Sequence, residues 1–225
     1  VHTSSPCRPL ERCARDLTMS GESSRNSTAE QQRDRSKPTE IDWQKAQEGT
    51  RLILEAVGVD PDRHGLRDTW ERRVPQTFET LTEGSRENAK PSLRTFAAED
   101  PSPVIKTGIP LYSLCEHHLL PYHGVAHVAY IPDEEVVGLS KLPRSVRWQS
   151  RRLTMQESLT SDIATGLHEE LDATGVVVEI TATHLCEAMR GVERSTDTTM
   201  RTVAGEVSDT VVQQFERAID RDQQQ

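Results

Sequence analysis

VVVEITATHLC, residues 176–186, alternates its side chains with a period of two. In an extended strand that alternation puts Val176, Val178, Ile180, Ala182, His184 and Cys186 on one face. Val and Ile suit a pleated, buried surface. The run predicts a core strand over 176–185 whose inner face ends on a histidine and a cysteine, Cα atoms roughly 7 Å apart. A second cluster answers it: Cys115-Glu116-His117-His118. Cys115 and His118 stand three apart, so one tight turn can aim both at a common point. Two thiolates and an imidazole suit Zn²⁺ better than Mg²⁺ or Ca²⁺. A closed structural zinc site wants four protein ligands; three leave a position open for water. On this reading Cys115, His118 and Cys186 are metal ligands, and His117 and His184 stand beside them as proton carriers. The competing reading is two buried free thiols and core histidines, with His184 bonded to backbone. Other zinc classes fit worse. The deaminase H-x-E with a later C-x-x-C, the metalloprotease H-E-x-x-H and a C-x-D-x-R are all missing.

Around this strand the chain reads as α+β. Thr39 or Glu40 opens a helix with Ala46, Leu52, Ile53, Ala56 and Val57 on one inward face, and Gly58 ends it. A second helix is predicted over 69–82, with Val74, Phe78 and Leu81 inward and Pro75 marking a late start or a kink. Residues 84–103 read as a polar connector. Strands are predicted over 104–114 and 125–131, with Pro121 closing the Cys-Glu-His-His turn. Helices follow at 140–150 and 154–172, the second with a stripe of Leu159, Ile163, Leu167 and Leu171. A last strand near 197–203 and a helix from Ser208, with Val211, Val212, Phe215 and Ile219 inward, complete the order: two helices, then ββααββ, then one helix.

Residues 1–38 are polar and nearly free of apolar side chains, and are expected to be a disordered tail. Cys7 and Cys13 fall there, outside the chemistry, and Met19 offers a translational start. The remainder divides into a helical region over 39–95 and a catalytic domain over 96–225. The net charge of −9 argues against a nucleic-acid or membrane surface role. No apolar run reaches 18 residues and the first twenty lack an apolar segment, so neither a membrane span nor a secretory signal is expected. Four irregularly spaced cysteines point to a reducing, cytoplasmic setting.

Three further segments carry chemistry. Gly138-Leu139-Ser140-Lys141-Leu142-Pro143-Arg144 sets Lys141 and Arg144 three apart at a helix start, an arrangement that binds phosphate. A solvated basic turn is the alternative. Arg190 follows the 176–186 strand. Thr154-Met155-Gln156-Glu157 fits the T-x-x-E capping box, with Thr154 as N-cap.

Together these segments resemble the GTP cyclohydrolase I family. The matching stretches are SLCEHHLLPYHGVAHVAYIP (113–132), VVGLSKLPRSV (136–146), RRLTMQESLT (151–160) and THLCEAMRGV (183–192), with GLRDTWERRV (65–74) a looser match. The resemblance implies the tunnelling fold, in which ββααββ units assemble into rings, here a decamer with active sites between subunits. It implies zinc on Cys115, His118 and Cys186, with His117 and His184 catalytic. It places triphosphate on Lys141, Arg144 and Arg190, Ser140 near the ribose, and guanine on Glu157 with Gln156 beside it. Arg72 or Arg73 would reach a neighbour's site. The implied substrates are GTP and water. Two rivals stay open: a related tunnelling-fold nitrile reductase acting on a deazaguanine with NADPH, and a non-enzymatic subunit with a structural zinc.

Overall fold

The computed structural model describes residues 40–98 and 102–224. The tail reading for 1–38, with Cys7, Cys13 and Met19, lies outside the described residues. Helix α1 spans Trp43–Ala56. Asp42 caps it, accepting from the Lys45 amide at 3.0 Å, which satisfies one orphan donor of the first turn. Gly58, at φ +77°, follows its end. The expected inward face is corrected: Leu52, Ile53 and Val57 are 56%, 66% and 69% exposed. Periodicity finds an apolar face but not the surface that covers it. The helix instead docks through Gln47 and Arg51. Arg51 lies over the Trp70 ring at 5.0 Å and pairs with Asp62.

Pro75 produces a late start rather than a continuous helix. A π-helical turn, Thr69–Arg73, precedes α2, Val74–Leu81. Proline has no N–H to offer the carbonyl four residues back. That carbonyl, on Glu71, accepts from the Gln47 side chain at 2.7 Å.

The connector holds a strand that the sequence reading lacked. β1, Thr95–Ala97, pairs antiparallel with β4, Glu135–Val137; between them in the chain lie β2, Val104–Cys115, and β3, Pro121–Ile131. Then come α3, Lys141–Ser150; β5, Leu153–Thr154; α4, Gln156–Leu171; β6, Gly175–His184; α5, Leu185–Ala188; β7, Asp197–Gly205; and α6, Asp209–Gln223. The main sheet has the order β5-β2-β3-β6-β7, antiparallel except for the β5–β2 pair. Pro121 begins β3 rather than merely closing the turn, a position where a strand tolerates proline. No helix among the described residues is long and apolar enough to cross a membrane.

Alternation sorts the sheet into two faces. Val176, Val178, Ile180 and Ala182 join Ala126, Val128 and Tyr130 against Leu142 and Val146 of α3 and Leu159, Ile163 and Leu167 of α4. Each such side chain contributes roughly 1.5–3 kcal/mol by leaving water. Ala129 and Val177 face the other way, onto Phe215 and Ile219 of α6. Glu179 shares that second face and is 8% exposed. It is tolerated because Arg201 pairs with it at 2.7 Å and reaches Glu216 of α6, also at 2.7 Å.

At Gly124 the backbone of β3 lies too close to β6 to leave room for a side chain. A Cβ there would lie 1.9 Å from the Thr181 carbonyl oxygen, a rigid backbone atom. Gly124→Ala is therefore expected to lower stability by about 1–3 kcal/mol, read as a reduced urea midpoint. An unchanged midpoint would mean that the strands separate at no cost.

Candidate active site

The sheet gathers the chemistry at one end. Cys115 closes β2, Tyr122 lies near the start of β3, and His184 ends β6 directly opposite Tyr122. Residues 115–120 turn tightly. The amides of His118 and Leu119 both donate to the Cys115 carbonyl, and the Cys115 amide donates to Leu120. Leu119 takes φ +56° to complete it, an uncommon conformation for a side chain of this size. The turn brings His118 Nδ1 to 3.6 Å from Cys115 Sγ.

Cys186 arrives differently from expectation. The strand stops at His184, and Cys186 sits in the four-residue helix α5. His184 and Cys186 thus do not share a strand face; the helical turn swings the thiol instead. The result is convergence: ligand atoms of Cys115, His118 and Cys186 all lie within 4.8 Å of one another. Burial, with the facing Cys115 thiol, pushes the Cys186 thiol above its ordinary value. Two thiols and an imidazole around one point form a donor set that suits zinc, whose charge favours the thiolates.

His184 is half-buried beside this triad. Its ring stacks on Tyr122 with centroids 4.7 Å apart and planes at 13°. Burial holds the imidazole below its usual range, against the opposing pull of Glu157 and Glu187. Tyr122 is fully buried, and burial pushes its phenol up to about 12. Sequence reasoning missed Tyr122; only the β3–β6 register, which pairs it with His184, singles it out.

β5 ties the start of α4 to this end. Thr154 pairs with Cys115 in parallel register. The expected capping box does not form. Met155 is the N-cap and makes no side-chain cap bond, while Thr154 Oγ1 donates to the Met155 carbonyl at 3.2 Å. Glu157 is exposed on the first turn. Gln156 differs from the expected substrate contact. It is 1% exposed, and its side-chain nitrogen and oxygen are both engaged within the protein.

The other expected residues lie around this centre. His117 is exposed, its ring edge-on to His118 at 6.2 Å. Ser140 precedes α3 and caps nothing with its side chain; Lys141 and Arg144 occupy the first turns of α3. Arg190 is exposed just beyond α5. Lys141, Arg144 and Arg190 have no ion-pair partner among the described residues. The structure brings Cys115, His118, Cys186, His184 and Gln156 together; the basic residues make no direct hydrogen bond to that group.

The GTP cyclohydrolase I family model matches residues 46–219, which span all of these positions. The chain belongs to the GTP cyclohydrolase I family. The GTP cyclohydrolase 1 of Hyperthermus butylicus is 47% identical over 166 residues, covering 74% of this chain and 84% of its own. That of Campylobacter jejuni is 48% identical over 157 residues, covering 69% and 82%. That of Geobacillus kaustophilus is 43% identical over 173 residues, covering 76% and 92%. Among solved structures, the apo form of the archaeosine synthase QueF-Like matches 49% of this chain at 17% identity and a TM-score of 0.41, too distant to bear on the site. The GTP cyclohydrolase I match runs from α1 through most of α6, so the helical region and the sheet belong to one family unit.

Proposed function

We propose that the chain hydrolyses GTP at C8 of the purine, releases formate and rearranges the remainder to 7,8-dihydroneopterin triphosphate. The observation that carries this is the convergence of Cys115, His118 and Cys186 beside His184, inside a segment matched by the GTP cyclohydrolase I family. Those three residues would hold Zn²⁺. When bound, zinc supplies Lewis-acid activation of water, lowering its pKa from about 15.7 toward about 7.

The protein's own groups account for the rest. Glu157 accepts from guanine N1–H and the 2-amino group, two adjacent donors. His184 protonates N7 as water adds at C8, and the C8–N bond opens. His117 serves as the second proton carrier while further hydrolysis frees formate. The ribose then opens, rearranges and closes onto the freed amine, which needs acid–base groups and no redox partner. Ser140 lies toward the ribose. Lys141, Arg144 and Arg190 hold the triphosphate, a role supported by their lack of ion-pair partners among the described residues.

The finer architecture belongs to the same reading. With the short β4, β5 and α5 set aside, the order β2-β3-α3-α4-β6-β7 supports the tunnelling fold. The apolar residues Leu52, Ile53 and Val57, exposed on α1 and just beyond it, support contact between copies of the chain; the ring of ten subunits, with Arg72 or Arg73 reaching a neighbour's site, is what the resemblance to the family implies. Domain limits at 38/39 and 95/96 and a cytoplasmic setting complete it. The test is purified protein with GTP. Formate and a fluorescent pterin should appear together, and their absence with zinc bound would leave a structural zinc subunit.

Arg190→Ala is expected to weaken GTP binding about tenfold or more while leaving guanosine binding nearly unchanged. A charge-assisted bond to phosphate contributes roughly 1.5–3 kcal/mol. Equal weakening of both ligands, read by calorimetry, would mean that the site itself had been disturbed.

A further inference from the structure

Gln156 is held at three points. Its Nε2 donates to the carbonyl oxygens of Ile180 and Thr198, each at 2.9 Å. Those carbonyls belong to β6 and β7 and can only accept. The orientation of the amide follows. The reversed amide would set its oxygen against two carbonyl oxygens, with nothing to donate. Oε1 therefore faces His184, 2.7 Å from its Nε2. An amide oxygen has no proton to give, so the hydrogen in that bond sits on Nε2 of the imidazole.

We infer that Gln156 is a positioning residue: it holds the hydrogen of His184 on Nε2 and leaves Nδ1 as the nitrogen that takes a proton from the water adding at C8 and passes it to N7. Two further features make the lock firm. Gln156 opens α4 and is 1% exposed, so no water competes for its carbonyl. The ring cannot turn freely either, because Tyr122 lies flat against it at 4.7 Å. The two carbonyls that orient the amide come from His184's own strand and the strand next to it. Tautomer and ring position are thus referred to one rigid frame. The logic is that of a histidine whose working nitrogen is chosen by the bond the other nitrogen makes. The consequence for catalysis rests on the proposed role of His184 in opening the purine; the tautomer itself does not.

Two experiments separate the parts. Neutron diffraction from deuterated, zinc-loaded crystals at about pH 8, where an ordinary imidazole is neutral, should place a deuteron on His184 Nε2, pointing at Gln156 Oε1. A deuteron on Nδ1 with Nε2 bare would overturn the inference whether or not the protein acts on GTP. The second experiment compares Gln156→Met with Gln156→Glu in formate release. Methionine fills the space but accepts nothing from Nε2. It should lower kcat about a hundredfold or more, the range of a lost acid–base group, with KM within about threefold and zinc content unchanged. Glutamate still accepts from Nε2 while losing the donors to Ile180 and Thr198. It should recover kcat to within about tenfold of wild type. Equal loss of kcat in both variants, in step with their melting temperatures, would reduce Gln156 to a bolt between α4 and the sheet and overturn the positioning role.

Discussion

Cys186→Ala is expected to release the metal and to lower GTP turnover at least about a hundredfold. Among the described residues, Cys115, His118 and Cys186 are the one group able to hold a metal ion, so no fourth side chain compensates for the lost thiolate. The two ligands left, Cys115 and His118, both come from the single turn at 115–118. Lewis-acid activation contributes several kcal/mol to such a reaction, and each ~1.4 kcal/mol is a factor of ten, so a hundredfold is the low end. Cys186 lies in the short helix α5 and is only half-buried, so alanine should leave the sheet intact. The variant should therefore melt where metal-stripped wild type melts. Its stability loss is the share that metal binding contributes by mass action. Metal analysis after dialysis, alongside formate release, makes the measurement. Full zinc in Cys186→Ala would sink the ligand assignment.

The parts of this site that were legible in the sequence are those set by local spacing. Cys115 and His118 meet because a tight turn closes over three residues, and His184 follows from the period of two that runs through Val176–Ala182. What stayed hidden depends on pairing between distant segments. Cys186 was expected on the strand, but the strand stops at His184 and a helical turn delivers the thiol. β1 and β4 are three residues each and exist only because they pair with one another. Thr154 has the pattern of a helix cap, yet pairing with Cys115 draws it into β5, and tertiary structure overrides the local signal. Gln156 carried no hint of its bonds, because both carbonyls and the histidine come from residues 24 to 42 positions away. α1 failed for the opposite reason: its apolar stripe is real, but nothing in a period of 3.6 says whether the chain itself covers it.

Glu157→Gln should leave melting and zinc content near wild type and lower GTP turnover at least about tenfold. The structure removes the competing role for this carboxylate. A capping box would need Thr154 as N-cap, but Met155 holds that position and Thr154 Oγ1 bonds to the Met155 carbonyl instead. Glu157 is left exposed on the first turn of α4, near enough to His184 and Tyr122 to act on both. Its remaining structural contribution is a negative charge at a helix N-terminus, about 0.3–1 kcal/mol and screened by salt. Glutamine loses that charge and keeps the shape, so stability should move little. Recognition should move much more. Guanine presents N1–H and the 2-amino group side by side, and a carboxylate accepts from both. Glutamine offers one acceptor and turns an NH₂ toward the other donor, leaving it unpaired at a cost of about 1–3 kcal/mol, more when a charge is lost with it. At ~1.4 kcal/mol per decade the middle of that range already exceeds tenfold. Inosine triphosphate, which lacks the 2-amino group, supplies the control: the variant should discriminate less between it and GTP than wild type does. Normal GTP turnover in Glu157→Gln, with wild-type discrimination, would move guanine recognition to another residue.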